Sequence, residues 1–161
     1  MSGYDIETLG AERRAAVDAL IVENWAGPYV ATKGRLHDTR TQPGFVALMD
    51  GEVVGYALYT MEGGECELTV LEALVPWRGI GKMLLSHVSL VARVQGCSRL
   101  FLITTNDNTP AIRYYQRAQF ELVAVHIGGV DRARALKPTI PLIGLDGIEI
   151  HHEFEFARVL R

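Results

Sequence analysis

An apolar, strand-like run over residues 65–75 leads through Pro76-Trp77-Arg78-Gly79-Ile80-Gly81 into a long amphipathic segment, residues 80–95. A helix that opens on two closely spaced glycines directly after a strand has a definite physical property. Its first-turn N–H groups lack intrahelical partners and carry the positive end of the helix dipole, and glycine lets an anion approach the backbone. The pattern predicts a phosphate cradle built from the amides of Arg78, Gly79, Ile80, Gly81 and Lys82. A lone Gly-x-Gly says little, but placed between strand and helix it becomes informative. A Walker-type loop needs lysine followed by serine or threonine, and Lys82-Met83 is not that pair.

The chain has 161 residues, 48% apolar and 22% charged, enough for one domain with a sizeable core. Its net charge is −3 and its isoelectric point near 5.9. That balance argues against a general binder of nucleic acid or anionic membrane, though not against a local basic pocket for one nucleotide. Cys66 and Cys97 have neither metal-ligand spacing nor the number for a disulfide framework, so a reducing compartment is expected. The first ten residues show no charged-then-apolar leader, and no apolar run approaches membrane-spanning length. The expectation is a cytoplasmic protein, with residues 1–161 forming a single domain.

Residues 4–8 read as a strand and 11–25 as a helix, with Ala16, Leu20, Ile21 and Trp25 toward one face and Gly27-Pro28 as its stop. Residues 29–43 are mixed and polar, and a short helix with loops is expected there. Asp50-Gly51 joins strands 45–49 and 52–60 in a hairpin, and Gly63-Gly64 turns the chain into 65–75. In helix 80–95, Ile80, Leu84, Val88 and Val91 form the inner stripe and Lys82, Ser86, Ser89 and Arg93 the outer one, with Gly96 as C-terminal cap. Leu100 to Ile103 is a continuous apolar run, as in a strand covered on both faces. Thr109-Pro110 starts a helix as hydroxyl N-cap plus first-turn proline. Residues 120–127 read as a strand and 130–136 as a short helix, followed by a loop bounded by Pro138 and Pro141. In the last strand Ile148, Ile150, His152, Phe154 and Phe156 share one face. Glu149, His151, Glu153 and Glu155 share the other, which can be the wet face of an edge strand. Together these elements predict an α/β (α+β) fold: a mixed, mostly antiparallel central sheet flanked by helices, with one parallel crossover.

Several polar clusters have plain explanations. His151 and His152 point to opposite faces of a strand and do not chelate together, so no metal site is expected. His152 reads as a core or pocket histidine, His37-Asp38 as a surface loop pair, and Arg132, Arg134 and Lys137 as a solvated helix face. No Ser/His/Asp or Cys/His arrangement stands out from composition.

A second signature follows the glycine turn. Asn108, Ala111, Tyr115 and Phe120 stand in the register Asn-x-x-Ala-x-x-x-Tyr-x-x-x-x-Phe. With the glycine turn, it resembles the GNAT superfamily of N-acetyltransferases over roughly residues 45–127. The resemblance implies acetyl-CoA as co-substrate, its pyrophosphate on residues 78–82. It also implies that the strand backbone at Leu71, Glu72 and Ala73 meets the pantetheine amides, that Asn108 holds the pantetheine arm, and that the Tyr115 hydroxyl protonates the departing CoA thiolate. Tyr114 is the adjacent alternative, about 100° away around the helix. Glu67, near the start of the strand before the turn, takes the place of the family's base. A primary ammonium has a pKa near 10.4 and must lose a proton before it attacks. Glu65, Glu72, His126 and His152 compete for that role. The chain departs from the family pattern at Pro76, where a basic or amide residue is usual, and at Trp77 and Gln119, where glycine is common.

The activity implied is acetyl transfer from acetyl-CoA to a primary amine by direct attack in a ternary complex, without an acyl-enzyme. The alternative is a CoA-binding sensor or subunit with impaired catalysis, which the atypical turn and Gln119 keep open. The acceptor is expected to be a small-molecule or peptide amine. Glu65, Glu67, Glu72, Glu149, Glu153 and Glu155 favour a cationic one. No nucleic-acid or membrane partner is expected, and a homodimer is compatible with the sequence.

Overall fold

The computed structural model describes residues 3–161. β1 (Asp5–Thr8) leads into α1 (Ala11–Asn24), which buries Val17 and Ile21. The face of α1 therefore centres on Val17, and Ala16 is exposed. β4 (Gly44–Met49) and β5 (Glu52–Glu62) form the hairpin expected at Asp50-Gly51, and β6 (Glu65–Ala73) follows. α2 (Ile80–Val94) crosses over to β7 (Arg99–Thr105), and α3 (Thr109–Arg117), β8 (Glu121–His126), α4 (Gly129–Leu136) and β9 (Glu153–Val159) complete the chain.

Seven strands form one sheet in the order β1-β4-β5-β6-β7-β9-β8. Every neighbouring pair is antiparallel except β6–β7, the pair that α2 connects. One face of the sheet packs on α2 through Ile80, Leu84, Leu85 and Val88, with Leu68, Leu100 and Phe156 beneath them. α1 covers the other face, where Val17 and Ile21 meet Val46, Tyr56, Leu58 and Val70. This is the mixed, mostly antiparallel α/β architecture that the alternation of strand and helix periods predicts. No described helix is long and apolar enough to cross a membrane.

Two irregularities shape the centre of the sheet. β6 pairs with β7 only from Glu65↔Arg99 to Leu68↔Leu102, and beyond that the two strands diverge. At the same level the β5–β6 register passes from Tyr59↔Leu68 to Leu58↔Val70, leaving Thr69 as an extra residue in β6. Such a bulge bends the strand and re-aims its side chains. The sheet is thus wedged open at the C-terminal ends of its two parallel strands, the ends at which open α/β sheets bind ligands.

Three segments differ from the sequence reading. Residues 29–38 are not a short helix but a second antiparallel hairpin, β2 (Tyr29–Thr32) and β3 (Arg35–Asp38), followed by a single 3₁₀ turn at Thr39–Thr41. Lys33 and Gly34 both have positive φ, 49° and 75°, the conformation of a tight hairpin turn. The cap of α3 is Asn108 rather than Thr109, its side chain accepting from the Ala111 amide. The last strand starts at Glu153 and lies inside the sheet between β7 and β8, so the edge is β8 and His151-His152 precede the strand. The alternation in β9 holds, yet its acidic face is not wet: Glu153 and Glu155 are only 2% and 4% exposed. The β2–β3 hairpin covers them.

Candidate active site

The divergence of β6 and β7 opens a cavity of about 300 Å³ that runs through the sheet. Leu71, Glu72, Asn108 and Tyr115 line it on the α3 side, and Trp25, Thr32, Lys137 and Glu153 on the side of the hairpin and α4. Beyond Leu68 the β7-facing backbone of β6 has no strand partner, so the amides and carbonyls of residues 69–73 on that edge are free to bind an extended ligand. Asn108 spends its Oδ1 on the Ala111 amide at 3.2 Å, and its Nδ2 has no partner among the described residues. The Tyr115 hydroxyl also has none. Burial, with Tyr114 and Glu72 close by, raises its pKa above the usual tyrosine range, so it stays protonated and able to donate.

Tyr115 is held by the end of α3. The Phe120 amide bonds the Tyr115 carbonyl at 2.9 Å and the Gln119 amide bonds Gln116 at 3.0 Å, closing the helix in a Schellman motif. Phe120 packs edge-on against the Tyr115 ring, 5.6 Å between centroids. Gln119 takes the left-handed conformation, φ 68°, that its position after the helix predicts.

At the N-terminus of α2, Gly79 is the cap, with φ 73°, and no side chain caps the first-turn amides. Gly81 follows, and Tyr114 packs against it. The two tyrosines are therefore divided as their helical spacing predicts: Tyr115 into the split, Tyr114 toward the glycine turn. Beside Tyr114 lies an open cleft of about 700 Å³ between α2 and α3, lined by Lys82, Ser86, Arg113, Arg117 and Arg158. The sequence reading did not single out these arginines. Arg113 and Arg117 are one helical turn apart on α3, a spacing that places them on one face. Arg158 is structural, bonding the Ala118 carbonyl and the Ser89 hydroxyl and covering the Phe120 ring. Ser89 is buried instead of lying on the wet stripe of α2, because it shares a helix face with buried Leu85 and Ala92.

Glu67 is buried on the hairpin side of β6 and opens on a separate cavity of about 210 Å³, with Arg35, Thr60, Glu62, Glu65 and Phe101. Thr32 donates to Glu67 Oε2 at 2.7 Å, and His37 Nε2 is 2.7 Å from the same hydroxyl. Burial raises the Glu67 carboxyl, against the bond from Thr32. It lowers His37, with the Arg35 charge adding to the effect. His37 is thus no surface loop residue. It lies on β3 at 4% exposure, and only the unrecognised hairpin hid it.

The remaining acids are largely neutralised from within. Arg99 bridges Glu65 and Glu155, Lys33 reaches Glu155 at 3.1 Å, His126 reaches it at 2.9 Å, and Arg35 pairs with Glu62. Burial pushes Glu155 upward, but its bonds from His126, Arg99 and Lys33 prevail and hold it at about 2. Glu67 and Glu153 have no Lys or Arg within ion-pair distance among the described residues. Burial raises both.

Two residues of the expected solvated helix face resolve differently. Arg134 bonds the carbonyls of Ile140, Pro141 and Ile150, and Lys137 bonds that of Trp25 at 2.7 Å. Neither belongs to a solvated face. His152 accepts from the Gly128 amide, and His151 pairs with Asp131. No group of three or more metal-binding side chains is present among the described residues.

The acetyltransferase (GNAT) family model matches residues 13–120. An uncharacterized protein of Bacillus subtilis (strain 168), YdhI, is 37% identical over 139 residues, covering 86% of this chain and 87% of that protein. Among solved structures, the IAA acetyltransferase from Bacillus cereus ATCC 14579 superposes with a TM-score of 0.74 at 20% identity, covering 98% of this chain and 99% of the other. A GNAT family acetyltransferase from Elizabethkingia anophelis, crystallised with acetyl-CoA bound, gives a TM-score of 0.71 at 16% identity, covering 99% and 100%. By the family match and by the fold, this chain belongs to the GNAT acetyltransferase family.

Proposed function

We propose that this protein transfers an acetyl group from acetyl-CoA to a primary amine by direct attack in a ternary complex. One observation carries the reading: a single cavity, opened by the parting of β6 and β7, has free strand backbone and Asn108 along it and the unpartnered Tyr115 hydroxyl on its wall. The amides of residues 78–82 hold the pyrophosphate at the start of α2, where dipole and unpaired N–H groups favour an anion. Lys82, Arg113 and Arg117 in the adjoining cleft face the remaining phosphate charge. The backbone at Leu71, Glu72 and Ala73 and the Asn108 amide hold the pantetheine. Tyr115 gives its proton to the departing thiolate, and Glu67 receives the one the ammonium loses. Acetyl-CoA supplies the activated acyl group; the chain orients it and manages the protons.

Direct attack fits the absence of a usable thiol. Cys66 and Cys97 are buried free cysteines, and burial pushes Cys66 up to about 12. They also fit a reducing, cytoplasmic setting. The acceptor is a cationic amine, small or on a peptide. Its ammonium faces Glu153 on the wall of the split and gives its proton toward Glu67; among the described residues no Lys or Arg forms an ion pair with either buried carboxylate. The test is thiol release from acetyl-CoA against a panel of amines, amino acids and peptides. Amine-dependent release, best with cationic acceptors, supports the reading. Tight CoA binding without turnover on any amine would leave the sensor alternative.

A further inference from the structure

Glu67 and the split between β6 and β7 share no wall. Thr32 stands between them: it is a lining residue of the split, and its hydroxyl donates to Glu67 Oε2 at 2.7 Å. A hydroxyl has one proton and two acceptor lone pairs, whereas an ionised carboxylate only accepts. With Glu67 ionised, the Thr32 proton must point to it. His37 Nε2, at 2.7 Å, then donates into one lone pair of Thr32 Oγ1 and leaves the other for the split. His37 itself is 3.7 Å from Glu67 Oε2, so the threonine is the shorter connection.

Resting on the transferase reading above, we infer that Thr32 is a catalytic relay: its hydroxyl takes the proton of the acceptor ammonium in the split and passes its own proton to Glu67. One N–H bond of the ammonium breaks as an O–H bond forms on Thr32 Oγ1. The former Thr32 O–H bond breaks, and that proton joins Glu67 Oε2. The amine keeps the electron pair with which it attacks the thioester, and Thr32 ends as a neutral hydroxyl. His37 carries no proton in this step. It is a positioning residue that fixes the direction of the hydroxyl. The surroundings suit the transfer. Burial raises Glu67 and so improves it as an acceptor. Lys33 and Arg35 from the hairpin, Glu62 from β5 and Glu153 from β9 are the charged groups whose fields reach this chain of bonds.

The test measures thiol release with the amine the wild type uses best, in Thr32→Val, Thr32→Ser, Glu67→Gln and the Thr32→Val/Glu67→Gln pair. Thermal melts confirm folding, and Thr32→Ala replaces Thr32→Val if the latter does not fold. Residues that act as one unit are not additive. Thr32→Val and Glu67→Gln should each lower kcat by about 10²–10⁴-fold, the usual contribution of acid–base groups, and the pair should be no slower than the worse single variant. Thr32→Ser should restore most of the rate. His37→Phe should lower kcat more than it changes KM, with His37→Gln, which keeps an N–H donor, less affected. Wild-type turnover in Thr32→Val, or losses that multiply in the double variant, would overturn the relay with the transferase reading intact. A wild type inert toward every amine would remove the transferase reading, and the relay with it.

Discussion

The Tyr114 hydroxyl lies 3.0 Å from the point that a Cβ on Gly81 would occupy. Glycine at the first turn of α2 therefore makes room for the tyrosine, and in the proposed function it would also let the pyrophosphate approach the backbone. Gly81→Glu adds bulk and negative charge at that point, against the dipole. Acetyl-CoA at about a hundredfold over its Kd should stabilise the wild type by about 2.7 kcal/mol. Melting curves with and without acetyl-CoA should show that gain in the wild type and its loss in Gly81→Glu.

Tyr115→Phe should lower kcat by about 10²–10⁴-fold, the range for a positioned acid, with acetyl-CoA affinity nearly unchanged by calorimetry. Tyr114→Phe should retain turnover, because Tyr114 faces the glycine turn and not the split. Equal kcat in Tyr115→Phe and wild type would show that another group protonates the thiolate.

The Schellman motif that ends α3 places Gln119 at φ 68°, where a side chain costs about 1 kcal/mol or more relative to glycine. Gln119→Gly should raise the denaturant midpoint, with little change in slope. A lower midpoint would mean that the Gln119 side chain contributes more than its backbone strain costs.

Glu67 should trade stability for activity. Its carboxyl is raised by burial in the fold, so its charged form is disfavoured there. A raised carboxyl means the native state binds a proton more readily than the unfolded chain. Its penalty is present above the folded pKa and disappears as pH falls below the unfolded value. Glu67→Gln should therefore melt higher than wild type in mildly alkaline buffer, and the difference should shrink toward acid, while kcat falls. The wild-type kcat/KM should decline on its acid side above the ordinary glutamate range.

Local chemistry made the elements of the proposed cofactor side readable in the sequence. The glycine turn, Asn108 and Tyr115 sit on elements whose caps and periodicity are written in neighbouring residues, and their positions follow from those elements. The proposed acceptor side was not readable, because its determinants are long-range. Lys33-Gly34 is not a usual hairpin pair, so β2–β3 was missed, and with it the placing of Thr32 and His37 against Glu67. Glu155 looked solvated because its partners Arg99, Lys33 and His126 come from three other elements. The bulge at Thr69 depends on β5 as well as on β6, and no local signal in either strand announces it.

Mixing the protein with acetyl-CoA labelled in its acetyl carbon and a panel of primary amines, then weighing both products and protein by mass spectrometry, separates direct acetyl transfer from an acyl-enzyme and from binding alone. Direct transfer gives labelled acetyl on the amine, CoA released in equal amount, and a protein mass that never carries the label. Labelled acetyl on the protein would contradict direct attack, and bound acetyl-CoA with no acetylated amine would contradict the transferase itself.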